Sequence, residues 1–127
     1  MSANRWLLSI LALATCACFA SAGTSQAASF DCGKARQPDE KAICADHGLS
    51  ELDVEMATLY GVRMQIPMLM GAKGAAQDEQ RAFLAARATC GANAACIRQA
   101  YERRNSVLNQ AIIAAMQDYC RKLGICG

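Results

Sequence analysis

The 127-residue chain has one histidine, His47, and no pair of cysteines in C-x2-C spacing. Structural zinc calls for closely spaced Cys and His ligands, so a zinc site is not expected. A catalytic thiol needs an activating partner, and the one histidine lies three residues from Cys44, itself a candidate for a disulfide. There is no glycine-rich phosphate loop and no nucleophile beside a base. Glu51 and Glu55 share a helix face, but acids at i and i+4 usually solvate a surface. These gaps argue against an enzyme and imply no cofactor. Strand alternation, internal repeats and low-complexity runs are also missing, which leaves helix as the organising pattern.

Long apolar runs are scarce too. The only one spans Trp6 to about Phe19, follows Arg5 and leads into small residues, "ASAGTSQAAS". This is the plan of a secretory signal peptide. The run is shorter than the ~20 apolar residues a bilayer-spanning helix needs, so no stable membrane span is expected. Ala20-Ser21-Ala22 and Ser25-Gln26-Ala27 both satisfy the small-residue preference before a cut. The expected organisation is a signal peptide over residues 1–27, cleaved after 22 or 27, then a single domain over residues 28–127. The expected location is periplasmic or secreted. Leu13-Ala14-Thr15-Cys16 loosely resembles a lipoprotein box, with threonine where Gly, Ala or Ser usually stands.

What remains is rich in cysteine. Cys32, Cys44, Cys90, Cys96, Cys120 and Cys126 lie within about 100 residues, and an even number in a small exported chain means disulfides. Of fifteen connectivities, local spacing favours Cys32 with Cys44, Cys90 with Cys96 and Cys120 with Cys126. Domains of this size are marginal without help, and each closed loop adds about 2–4 kcal/mol.

The net charge of +2 points neither to nucleic acid nor to a membrane surface. Its distribution is uneven. From Ser29 to Glu55 seven acids face three bases, and from Met56 onward four acids face nine bases, or −4 against +5. The bland reading is solvated helix faces; the functional one is an acidic face offered to a basic partner.

Helix signals run throughout. Pro38 with Asp39 and Glu40 forms a first helical turn, ending near His47-Gly48. Ser50 with Asp53 resembles a capping box, followed by Leu49, Leu52, Met56, Leu59 and Tyr60 on one stripe. Pro67 ends this helix, "PMLMGAKGAAQ" reads as a breaker-rich connection, and Asp78 opens a third helix anchored by Phe83 and Leu84. Gly91 and Asn93 form a turn. The fourth helix carries Ile97, Tyr101, Leu108, Ala111, Ile112, Ala115, Met116 and Tyr119 on one face, capped by Gly124. The fold expected is all-α, a small disulfide-stapled bundle of about four helices.

Five stretches fall into an ordered pattern: Phe30-Asp31-Cys32; Glu40-Lys41-Ala42-Ile43-Cys44; Leu49 to Asp53 with Leu59-Tyr60; Gln80-Arg81 with Phe83, Leu84 and Arg87; and Cys90, Cys96, Ile97, Tyr101 and Arg104. Together they resemble the LprI-like family of lysozyme-inhibitor N-terminal domains, small exported bacterial proteins. Phe83 stands where that family usually has tryptophan, and Cys120 and Cys126 lie outside its pattern. The resemblance implies an all-helical domain, disulfides at Cys32, Cys44, Cys90 and Cys96, and binding and inhibition of lysozyme.

Lysozyme offers an open cleft with a general acid and a second carboxylate, and the common animal enzymes are basic proteins. Asp46, His47, Glu51 and Glu55 are the candidate partner-binding residues, with His47 able to hydrogen-bond a catalytic carboxylate. The bland reading of His47 is a polar residue in a tight turn. Two alternatives remain. "IPMLM" could dock another polypeptide, as in an envelope adaptor or assembly protein. Met64, Met68 and Met70 could offer thioethers to Cu(I), although methionine more often fills core gaps.

Overall fold

The computed structural model describes residues 27–125. All of the expected signal peptide but Ala27, and Cys126, therefore lie outside the described residues. After a short 3-10 turn at Cys32–Lys34 come four helices: α1 Pro38–Ala45, α2 His47–Gln65, α3 Met70–Ala88 and α4 Ala94–Leu123. No strand occurs among the described residues, and the all-α expectation holds.

Local chemistry sets the joints. Pro38 starts α1, Glu40 accepts hydrogen bonds from the amides of Arg36 and Gln37, and Gln37 completes a capping box. These amides hold the Glu40 carboxyl below its ordinary pKa. Asp46 alone separates α1 from α2: its extended backbone breaks the first helix, and its side chain accepts from Leu49 N at 3.0 Å. The expected start at Ser50 is therefore wrong. Ser50 is buried and donates to the carbonyl of Ile43 at 2.7 Å, bracing the α1–α2 joint instead of capping it. Gly48 is a helical residue, not a turn. A Cβ there would lie 3.2 Å from Arg98, whose guanidinium pairs with Asp46.

Pro67 does end α2, but α3 begins at Met70, not Asp78. Ala72, Lys73, Ala75 and Ala76 are strong helix formers and offset Gly71 and Gly74, each costing about 1 kcal/mol relative to alanine. Helix α3 docks through Ala76, Gln80 and Arg87, with Phe83 partly buried against the core. Leu84, the other expected anchor, is exposed. Asn93 caps α4, and Gly124 ends it in the left-handed conformation with φ 66°.

The core gathers Ile43, Leu49, Met56, Ile97, Tyr101 and Leu108, joined by Ala28 from the N-terminal segment. Helix α4 is the spine of the fold, packing most extensively on α2. Its apolar stripe outlasts its partners, so Met116 and Tyr119, expected in the core, are exposed. Cys32–Cys44 fastens the N-terminal segment to α1, and Cys90–Cys96 clamps the α3–α4 turn, as spacing had suggested. The third expected pair reaches beyond the described residues at Cys126. Among the described residues no helix is long and apolar enough to cross a membrane.

Candidate functional site

The four candidate partner-binding residues divide in two. His47, Glu51 and Glu55 lie at successive i, i+4 positions of α2 and are exposed, with Val54, Thr58 and Val62 beside them on the same outer face. His47 Nε2 is 3.3 Å from Glu51 Oε1, a salt bridge when the imidazole is protonated. Glu55 has no ion-pair partner among the described residues. Asp46 plays a different part: it caps α2 and pairs with Arg98 at 3.6 Å, so its carboxylate is largely spent on the fold. The face that remains is a strip about 22 Å long at 1.5 Å per residue, acidic at its first turns and apolar at Val54 and Val62.

The charge division is weaker at the surface than in the sequence. Asp39 and Asp53, counted with the acidic half, are each 1% exposed, and Arg87 and Arg104 of the basic half are also buried. Outside the core five acids face three bases in the first stretch and four acids face seven bases in the second, −2 against +3. Of the nine acids that stay outside, Glu51 and Glu55 stand on the outer face of α2.

Composition alone did not reveal what the buried charges do. Arg87 Nε donates to Asp39 Oδ2 at 2.8 Å, and Arg87 Nη1 donates to the Tyr101 hydroxyl at 2.8 Å. That hydroxyl donates in turn to Asp53 Oδ1 at 2.7 Å. Asp53 Oδ2 accepts from the amide of Ser29 at 2.7 Å, while Asp39 Oδ1 is buried with no hydrogen-bond partner. Burial by itself would lower the Arg87 guanidinium, but Tyr101 and Asp39 outweigh it and leave its pKa raised. Burial pushes the Tyr101 phenol far above its ordinary value; Arg87 opposes this and the Asp53 hydrogen bond reinforces it. A second layer follows one turn along: Arg104 donates to Gln80 at 3.0 Å, and Gln80 donates to the Met56 sulfur at 3.0 Å. Phe83 and Tyr101 meet edge to face at 5.4 Å.

A cleft of about 350 Å³ reaches this cluster between Phe30, Tyr60 and Leu84. Arg87 is held as a cation, and the Tyr101 phenol is held neutral by burial. The cluster ties α1, α2, α3 and α4 together. Asp53, Gln80, Arg87, Tyr101 and Arg104, five of the residues on which the family resemblance rests, all sit in it, so that pattern speaks chiefly to the fold.

A second concavity of about 510 Å³ lies between the α2–α3 connection and the last turns of α4, lined by Ile66, Pro67, Met68, Leu69, Ala115 and Tyr119, among others. Leu69 and Met70 beside it are 84% and 91% exposed. Met64 sits in α2, Met68 in the connection and Met70 at the start of α3, and only Met70 is strongly exposed. Among the described residues no group of three or more His, Cys, Asp and Glu side chains is placed to hold a metal ion.

Compared with known proteins, the chain matches no family model, no curated protein and no solved structure. The class defined by the fold and the surface is a disulfide-stapled all-α domain. Two disulfides belong to the chemistry of an oxidising compartment outside the cytoplasm.

Proposed function

We propose that residues 1–27 are a removable export signal and that the mature domain is a binding protein that inhibits a basic, animal-type lysozyme by direct contact. The observation that carries the reading is the outer face of α2, where Glu51 and Glu55 project from a rigid helix beside Val54 and Val62. A short apolar centre bordered by carboxylates suits a basic protein surface, since complementary charge speeds association and apolar contact slows release. The sequence resemblance supplies the particular partner. The buried cluster supplies rigidity, so little ordering entropy opposes binding.

The test is a turbidity assay of cell-wall hydrolysis joined to binding kinetics. Glu51→Lys with Glu55→Lys is expected to slow association about tenfold or more at low salt. The difference should shrink as the Debye length falls to about 10 Å near 0.1 M. Arg103→Glu, an exposed change on the other half, is the control and should leave inhibition intact. Arg104 cannot serve as a control, because it is buried against Gln80. Lack of binding at micromolar protein and low salt would end the proposal for that lysozyme.

A second reading rests on the exposed Leu69 and Met70 beside the apolar concavity: an adaptor that docks an apolar segment of another envelope protein there. Leu69→Ser with Met70→Ser should abolish such capture and leave lysozyme inhibition unchanged.

A further inference from the structure

We infer that the leader is cut between Ala27 and Ala28, and that the α-ammonium group so created is the second cation of the buried cluster, paired with Asp53. The inference rests on the reading of residues 1–27 as an export signal, and it selects one of the two cuts which that reading leaves open.

Three observations lead to it. Ala28 is 5% exposed and belongs to the core cluster with Ile43, Leu49 and Tyr101, so the domain treats it as an internal residue. The next amide, Ser29 N, already donates to Asp53 Oδ2 at 2.7 Å. Successive backbone nitrogens stand at most about 3.6 Å apart, which puts an amine on Ala28 within one peptide unit of that donor.

The third observation is a charge deficit. Two buried carboxylates, Asp39 and Asp53, share one guanidinium, Arg87, at 2.8 and 3.8 Å. Among the described residues no other Lys, Arg or His side chain lies within salt-bridge distance of either carboxylate. Arg104 is engaged with Gln80 and Glu79. An uncompensated buried charge is strongly disfavoured, and an ammonium at Ala28 brings the cluster to neutrality.

The covalent step is ordinary hydrolysis. A peptidase of the export machinery adds water across the Ala27–Ala28 amide; the C–N bond breaks, Ala27 leaves as a carboxylate and the Ala28 nitrogen takes up protons. Its usual pKa of about 8 keeps it charged at neutral pH. Ser25 and Ala27 meet the small-residue preference before the cut. A cut after Ala22 would instead leave residue 28 as an uncharged amide and the cluster one cation short.

Intact-mass measurement and N-terminal sequencing of the exported full-length gene product test the site. A first residue of Ala28 is expected. A first residue of Gly23 would overturn this inference and leave the export reading standing, whereas an uncut Met1 chain would overturn both. The charge role is tested on two oxidised chains, one starting at Ala28 and one at Gly23. The Ala28 chain should have a thermal midpoint several degrees higher, and acetylating its N-terminus should remove the gain. Equal midpoints for all three would overturn the ammonium pairing.

Discussion

The hydroxyl of Tyr101 donates to Asp53 Oδ1 at 2.7 Å, tying α4 to α2 across 48 positions of sequence. The same oxygen accepts from Arg87, so one atom on the spine helix joins α2 to α3. Tyr101→Phe keeps the ring and its contact with Phe83 but strips both neighbours of a partner. The expected loss is about 1–3 kcal/mol in urea unfolding, because the groups left behind remain buried. A loss below about 0.5 kcal/mol would mean that the cluster is loosely wetted.

The same phenol sets an alkaline limit. Burial raises its pKa in the folded state, so its contribution is complete below about pH 10 and is lost as pH climbs beyond that. Above about pH 10 the unfolded chain has released a proton that the folded chain keeps. Stability should then fall about 1.4 kcal/mol per pH unit more steeply in the parent than in Tyr101→Phe. Urea midpoints between about pH 9 and 11 would show parallel slopes if Tyr101 ionised freely in the native state.

Removing Arg87 strands Asp39. Arg87→Met should cost about 3–5 kcal/mol, since Asp39 is left buried without its counter-charge and the Tyr101 hydroxyl loses a donor. Adding Asp39→Asn should recover part of that loss, giving clear non-additivity in a double-mutant cycle. Strictly additive single changes would show that Arg87 and Asp39 act independently despite their 2.8 Å contact.

The two described disulfides should contribute unequally. Loop closure alone gives about 3 kcal/mol for Cys32–Cys44 and a little over 2 for Cys90–Cys96, from separations of 12 and 6. The first also anchors the segment carrying Ala28 and Ser29, so Cys32→Ser with Cys44→Ser should free that segment to proteolysis. The corresponding change at Cys90 and Cys96 should lower the thermal midpoint and leave the segment protected. Equal cleavage of both variants would show that the Ser29–Asp53 contact holds without the bridge.

The elements that periodicity and capping chemistry describe were legible in the sequence. The stripe from Ile97 to Leu108, the Asn93 and Gly124 boundaries of α4 and the two local disulfides all follow from spacing. Misreadings came where two signals compete. Ser50 has the sequence of a cap, but Asp46 wins because it can break α1 and cap α2 from one position. Gly71 and Gly74 look like breakers, but their alanine neighbours carry the helix through. For the candidate site, the outer stripe of His47, Glu51 and Glu55 was readable from i, i+4 spacing. The inward turn of Asp39 and Asp53 was not, because a carboxylate in an acidic stretch gives no local sign of an arginine 48 or 34 residues away. Only the burial of Tyr101 on the same stripe as Ile97 hinted at a polar partner within the core.

Both described bridges are short-range, one between the N-terminal segment and α1 and one at the α3–α4 turn. Neither crosses from the α1–α2 unit to the α3–α4 unit. Each half therefore carries its own described bridge, and what clasps the halves is apolar packing, the Asp39–Arg87–Tyr101–Asp53 chain and the Arg98–Asp46, Gln80–Met56 and Asn105–Leu52 contacts. A single nick in the connection at residues 66–69 would yield two fragments, each with its own described bridge intact. They would hold together or drift apart according to the strength of that electrostatic clasp.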